Sequence, residues 1–192
     1  MTTYKFTYFP VRARGELSRL IFAAAEQKYE EVVLPPAKWP ALKPSTPYLQ
    51  IPILEFGGKV LAQSQTIERY LARKFDLFGS TAEESAIVDE VQESLGDILD
   101  GFLPVFSDSA KAEAFAKGRA SELLAGVEKR VQGPFVLGKK LSLADVAVFR
   151  ILDEKFLAPV AAKFPKLQAI VAAVAKLPGV AAYLKTRPAG DH

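Results

Sequence analysis

Apolar residues recur along the chain with two different periods, and the change of period divides it. Tyr4 to Phe9 alternates aromatic and polar residues, the two-residue period of a strand with one buried face. From Gly15 to Gln27, Leu17, Leu20, Ile21 and Ala24 recur at helical spacing. Glu31 to Leu34 is a short β-rich run ended by Pro35-Pro36. Pro52–Phe56 and Lys59–Ala62 are two more short runs, joined by Gly57-Gly58, which predicts a hairpin. Ser64 to Phe75 places Ile67, Tyr70 and Leu71 on one helical face. The order is β-α-β followed by β-β-α. Residues 77–84 (LFGSTAEE) read as a linker, and after them the period is helical throughout. Ile87, Val91, Leu95, Ile98, Leu99 and Phe102 mark one helix, and Ala110 to Val131 a second. A third begins near Ser142, with further helical segments at Pro165 to Leu177 and Gly179 to Thr186.

The predicted architecture is therefore an α/β N-terminal domain, residues 1–78, with a mixed four-stranded sheet. An all-α helical-bundle domain, residues 79–192, follows it. There is no internal repeat.

Composition narrows the chemistry. The 192 residues contain no cysteine, which removes disulfides, thiolate metal sites and a cysteine nucleophile. The single histidine is His192, so a histidine base or metal cluster is not expected. Any reaction must use Tyr, Ser, Arg, Lys, Asp or Glu, or a group the ligand brings. No apolar run approaches the roughly 18–20 residues of a membrane span. The opening residues, MTTYKFTYF, lack a charged-then-apolar leader, so a cytoplasmic location without membrane attachment is expected. Net charge is +3. Residues 1–76 hold 11 Lys and Arg against 7 Asp and Glu, and the remainder 14 against 15. The basic excess lies in the first domain and is scattered, which suits a small anion better than nucleic acid.

Four local patterns invite a closer reading. Ser142-Leu143-Ala144-Asp145 is a capping box, with Leu141 and Val146 placed as a hydrophobic staple. Gln50-Ile51-Pro52 starts a strand with a proline; trans is the commoner state of such a bond, whereas cis would expose the Ile51 backbone for strand-like pairing with a peptide ligand. Gln63-Ser64 opens a helix, with Ser64 as a good N-cap and the free N–H groups behind it suited to a carboxylate. Finally, Tyr8-Phe9 ends the first strand, and Arg12, Arg14 and Arg19 crowd the next loop and helix start. Taken singly, each is explained by ordinary helix initiation, an edge proline or solvated arginines.

Together they resemble the cytosolic glutathione transferases, within them the sigma class, over essentially the full length. The resemblance is carried by YKFTYFPVRARGELSRLIFAAAEQKYE, AKWPALKPSTPYLQIPILEFGGKVLAQSQTIERYLAR and GKKLSLADV. It implies a thioredoxin-like first domain and places Tyr8 at the family's catalytic tyrosine, with Arg14 adding positive field beside it. The nucleophile then belongs to the cosubstrate, glutathione, and no metal is implied. Ile51, before a cis-Pro52, matches the residue whose backbone pairs with the cysteinyl part of glutathione. Gln63 and Ser64 match the γ-glutamyl carboxylate site. Trp39, Lys43 and Gln50 match positions around the glycyl end. Asp97 matches an acid that reaches the γ-glutamyl ammonium in a neighbouring subunit. Tyr48 matches an aromatic that packs into the partner of a homodimer. The helical domain is expected to supply the dimer interface and part of the acceptor wall: Phe9, Val11, Ala13, Leu99, Pro104, Ala147 and Ile151.

That wall is apolar, so small hydrophobic electrophiles of broad range are the expected substrates, with organic peroxides as a further class. Two alternatives share the fold. One is a glutathione-dependent prostaglandin isomerase; Gly96 lies between Glu93 and Asp97, Pro104 stands where those enzymes carry tryptophan, and the loop after Phe106 is shorter, all of which count against it and against an interface metal. The other is a non-catalytic, crystallin-like member, against which stands the presence of Tyr8, Arg14, Gln63 and Ser64 together. A redox-active thioredoxin is excluded by the lack of C-x-x-C.

Overall fold

The computed structural model describes residues 3–188. Packing divides the chain into two units, one running to Phe75 and rejoined by the residues from Pro178, the other Asp76–Leu177.

The first unit is built on β1 (Tyr4–Tyr8), β2 (Glu30–Val33), β3 (Ile53–Phe56) and β4 (Lys59–Ala62), in sheet order β2-β1-β3-β4. β2 runs parallel to β1, while β3 and β4 are antiparallel to their neighbours. Parallel pairing of β1 and β2 needs a crossover, and helix α1 (Glu16–Ala24) provides it. The β3–β4 turn is Gly57-Gly58, both at positive φ (52° and 73°), as a tight hairpin requires. A short helix, α2 (Trp39–Leu42), lies between β2 and β3, and α3 (Ser64–Lys74) follows β4. The mixed four-stranded sheet is the one expected from the sequence.

The core of this unit forms where α1 and α3 cover the sheet. Phe6, Leu20, Ile21, Leu54, Ile67 and Leu71 have no exposed surface. Tyr4 lies among Phe22, Phe56 and Phe75, with ring centroids 5.6–6.1 Å apart. The Ile51–Pro52 bond is cis.

The second unit contains α4 (Ala82–Phe102), α5 (Ser109–Phe115), α6 (Ser121–Arg130), α7 (Leu143–Leu152), α8 (Ala158–Ala161) and α9 (Pro165–Ala175). All ten residues of α7 are buried, so it is the central helix, packed by α4 and α9. Its start is the expected capping box. Asp145 Oδ2 accepts from the Ser142 N–H (2.8 Å) and from Ser142 Oγ (2.7 Å), while Oδ1 accepts from the Val136 N–H (2.7 Å). Burial pushes the Asp145 carboxyl above its ordinary pKa, against the lowering effect of those hydrogen bonds.

Three details depart from the sequence reading. The helix expected over Ala110–Val131 is two helices, divided by a π-helical turn at Ala116–Ala120 where Gly118 leaves helical geometry (φ −95°, ψ −109°). Glycine resists helix formation most after proline, and a wide turn at such a residue kinks the run. The supposed linker is partly helical, because Thr81 caps α4 by accepting from the Glu84 N–H (3.2 Å). Helix α10 (Pro178–Tyr183) packs on α1 in the first unit, although the sequence reading grouped it with the helical region. Gly179 makes that approach possible: a Cβ there would lie 2.0 Å from the Ala23 carbonyl oxygen.

Candidate active site

The site lies in the first unit, where loops leave the sheet. A cavity of about 530 Å³ is lined by Phe9, Arg14, Trp39, Leu49, Gln50, Ile51, Pro52, Gln63 and Ser64. Seven of these nine were expected around glutathione or at the catalytic centre: Arg14, Trp39, Gln50, Ile51, Pro52, Gln63 and Ser64. Phe9 was expected on the acceptor wall. Its ring meets the Trp39 indole edge-on at 5.8 Å, so two aromatic faces bound one side.

Tyr8 is the last residue of β1 and is 6% exposed. Alternation along β1 puts it on the face of Tyr4 and Phe6, which are also buried. Its carbonyl accepts from the Leu34 N–H at 2.8 Å. Two features set its ring. A Cβ on Gly15 would lie 2.3 Å from Tyr8 Cδ1, so the ring rests against a bare Cα. The Arg19 guanidinium stands 5.7 Å from the ring centroid. Tyr8 is not among the residues that line the cavity, but its neighbour Phe9 and the following Arg14 are.

Helix α3 begins at the cavity. Ser64 is its first helical residue, and Gln63 occupies the N-cap position at φ 71°, ψ 115°. The expectation of Ser64 as the N-cap itself is corrected by one position. β4 ends at Ala62, and a single residue turns the chain from strand to helix; that residue takes the unusual backbone conformation. The first turn of any helix leaves N–H groups with no intrahelical partner, and the dipole favours an anion beside them. The arrangement suits a carboxylate. The Gln63 and Gln50 side-chain amides face each other at 3.5 Å across the opening.

The remaining expected positions lie elsewhere. Lys43 is exposed and outside the cavity lining. Val11 and Ala13 are half-buried in the segment after β1. In the helical unit, Asp97 is exposed on α4, Leu99 is half-buried, and Pro104 is exposed just after α4. Ala147 and Ile151, at 2% and 3% exposure, are interior residues of α7. Tyr48 and Leu49 form an exposed apolar pair, 65% and 53% exposed.

Sequence reasoning missed three residues. Leu49 lines the cavity at φ 55°, a conformation no local pattern announced. Gly15 was read only as a helix start. Arg19 was read as solvated, yet its side chain is wholly buried.

The first unit is thus a four-stranded mixed sheet with the start of α3 opening onto one cavity, and a helical unit follows it in the chain. Comparison agrees. Residues 4–73 match the family model of the glutathione S-transferase N-terminal domain, and residues 97–187 that of the C-terminal domain. The chain is 35% identical to a probable glutathione S-transferase 7 of Caenorhabditis elegans, covering 98% of both. It is 36% identical to the hematopoietic prostaglandin D synthase of Gallus gallus, again over 98% of both. A sigma-class glutathione transferase structure from Fasciola hepatica superposes with a TM-score of 0.90 at 26% identity, covering 100% of this chain and 99% of that one. The chain belongs to the glutathione S-transferase family. Among the described residues, no helix is long and apolar enough to cross a membrane.

Proposed function

We propose that this protein binds glutathione in the cavity beside α3 and uses Tyr8 to hold its sulfur as a thiolate for attack on hydrophobic electrophiles. The observation that supports this best is the joint placement of Arg14, Gln50, Ile51, Gln63 and Ser64 around one cavity directly after the strand that ends in Tyr8. The γ-glutamyl carboxylate sits at the α3 N-terminus, and the cysteinyl backbone pairs with Ile51. Sulfur then lies toward Tyr8. Tyr8 donates its O–H to the sulfur; the thiol proton leaves to solvent. The sulfur lone pair forms a bond to the electrophilic carbon, and the leaving group departs with its electron pair. With an organic peroxide, the same thiolate attacks one peroxide oxygen, the O–O bond breaks and the alkoxide leaves as the alcohol, and a second glutathione thiol reduces the resulting glutathione sulfenic acid to the disulfide with loss of water.

The magnitudes are sufficient. A free thiol ionises near pH 8.5, so only a few per cent is thiolate at neutral pH. A charge-assisted hydrogen bond worth about 1.5–3 kcal/mol lowers that pKa by roughly one to two units. The chain has no cysteine, and the role is given to Tyr8 because it matches the family's catalytic tyrosine. We assign a homodimer with Tyr48 as the inserted aromatic, supported by its 65% exposure beside exposed Leu49.

The test is an ultraviolet titration of thiolate absorbance for glutathione bound to wild-type protein and to Tyr8→Phe. The bound thiol is expected to ionise at least one unit below its free value only when Tyr8 is present, and Tyr8→Phe to lose at least tenfold in turnover near neutral pH. Equal titrations would end the tyrosine mechanism. A second reading, prostaglandin isomerisation, is favoured by the likeness to the Gallus gallus enzyme. Turnover of a prostaglandin endoperoxide faster than of an activated aryl halide would select it.

A further inference from the structure

Among the described residues, Arg19 is the largest side chain with no exposure, and its charge has been taken out of water. Burying a cation is costly unless each N–H finds a partner. Here Nη1 donates to the Val11 carbonyl (2.7 Å) and Nη2 to the Phe9 carbonyl (3.1 Å). Nε donates to Glu31 Oε1 (2.5 Å), and Glu16 lies 3.7 Å from Nη1. The two carbonyls belong to the segment just past Tyr8, where the β1 ladder has ended. One planar fork therefore replaces the sheet hydrogen bonds that this segment lacks, and does so four residues after Gly15, the other contact of the Tyr8 ring.

The fork is itself held. Glu16 Oε2 accepts from the Tyr183 hydroxyl (2.7 Å) on α10, with Arg187 Nη1 3.9 Å from Oε1. Glu31 Oε2 accepts from the Tyr29 hydroxyl (3.3 Å). Burial and the adjacent carboxylates push both phenols well above their ordinary pKa, so they stay protonated donors. Each of the two carboxylates thus has an arginine beside it, Arg19 at both and Arg187 also at Glu16.

We propose that Arg19 is a positioning residue for thiol activation, fixing the Phe9–Val11 backbone and the Tyr8 ring from beneath. This rests on the thiolate reading above. The experiment is a double-mutant cycle of Arg19→Lys with Tyr8→Phe. It is read by the pKa of the bound glutathione thiol, the glutathione Kd and kcat toward an activated aryl halide. Lysine keeps the charge but cannot span two carbonyls and Glu31. Arg19→Lys is expected to raise the bound-thiol pKa by at least one unit and cut kcat at least tenfold, with Kd within about threefold of wild type. In the Tyr8→Phe background the same change is expected to move the thiol pKa by less than 0.3 units.

Equal shifts in both backgrounds would show that Arg19 does not act through Tyr8, and a wild-type titration in Arg19→Lys would show that charge alone suffices; either overturns the inference. If Arg19→Lys fails to fold, Glu31→Ala leaves Arg19 in place with one anchor removed. A smaller rise in the same direction is expected, and no rise overturns the inference. An unshifted thiol in the wild-type protein would instead defeat thiol activation itself, and Arg19's role with it.

Discussion

Gly15→Ala disturbs the placement of the Tyr8 ring while leaving its hydroxyl in the protein. Gly15 sits at φ −91°, ψ −21°, ordinary right-handed backbone that alanine adopts freely. On backbone grounds the change should stabilise the fold by about 0.4–1 kcal/mol, by restricting the unfolded chain. The added Cβ, however, would lie 2.3 Å from Tyr8 Cδ1 and 2.9 Å from Cγ and Cε1. Carbon atoms prefer separations of roughly 3.5–4.0 Å, so the ring or the helix start must retreat by about 1 Å. The ring is flanked by Phe9 and Arg19, and overpacking of this kind costs about 1–3 kcal/mol. A displacement of that size is also enough to disrupt a hydrogen bond to sulfur, and misplacement by 1 Å can cost about 100-fold in rate. Gly15→Ala is thus expected to lower kcat by about 10- to 100-fold and raise the bound-thiol pKa, while glutathione KM stays within a few-fold, because Gly15 does not line the cavity. Steady-state kinetics with an aryl halide, together with the thiolate titration, measure both. Wild-type kcat with an unshifted titration in a folded Gly15→Ala protein would refute the claim that this contact places the phenol.

In the proposed pose Ser64 contacts glutathione far from sulfur, so Ser64→Ala should raise glutathione KM about tenfold with kcat little changed; a lowered kcat at constant KM would contradict the assignment. Leu49 holds φ 55°, where a β-branched side chain is especially unfavourable. Leu49→Val should therefore be less stable than Leu49→Gly by at least about 1 kcal/mol in urea titrations, and the reverse order would remove the strain argument. Asp145→Ala strands the Val136 and Ser142 N–H groups, at about 1–3 kcal/mol each, and should lower Tm by roughly 5–20 °C; a loss below 2 °C would mean water replaces the carboxylate. Because the Asp145 pKa is raised in the fold, its contribution is full below the ordinary value of 3.8 and falls as pH rises through the folded pKa, a slope that Asp145→Asn should lack.

The elements whose pattern depends on near neighbours were legible in the sequence. The β1 alternation, the Gly57-Gly58 hairpin and the Ser142–Asp145 box each satisfy a local rule within a few residues. What escaped depends on partners far along the chain. Arg19 reads as a surface cation because its acceptors, the Phe9 and Val11 carbonyls and Glu31, are not visible from its own helix. α10 has an apolar residue, Val180, with no exposed surface, but an amphipathic period shows that a face is buried and never against what. The Gly118 turn was missed for a different reason: the 22-residue helical pattern holds two glycines, Gly118 and Gly126, and α6 runs straight through the second, so the sequence does not say which one bends the chain. The cavity residues were legible mainly through family resemblance, since Trp39 or Gln50 alone carries no chemical signature.

Backbone strain sorts the described residues in an instructive way. Five non-glycine residues have positive φ: Ala13, Glu26, Leu49, Gln63 and Asp76. Glu26 and Asp76 closely follow the last turns of α1 and α3, where a left-handed residue commonly ends a helix. The other three have no such excuse. Leu49 and Gln63 line the cavity, and Ala13 precedes Arg14, which also does. Each costs of order 1–3 kcal/mol and persists only where the surroundings over-determine it. The surroundings here are the buried Arg19 fork behind Ala13, the cavity-lining Gln50, Ile51 and Pro52 after Leu49, and the immediate passage from β4 to α3 at Gln63. Strain concentrated on the three loops that converge on one cavity is the expected signature of a site whose geometry is held before the ligand arrives. On the proposed reading, the pre-organisation lies in the backbone of these loops rather than in the side chains alone.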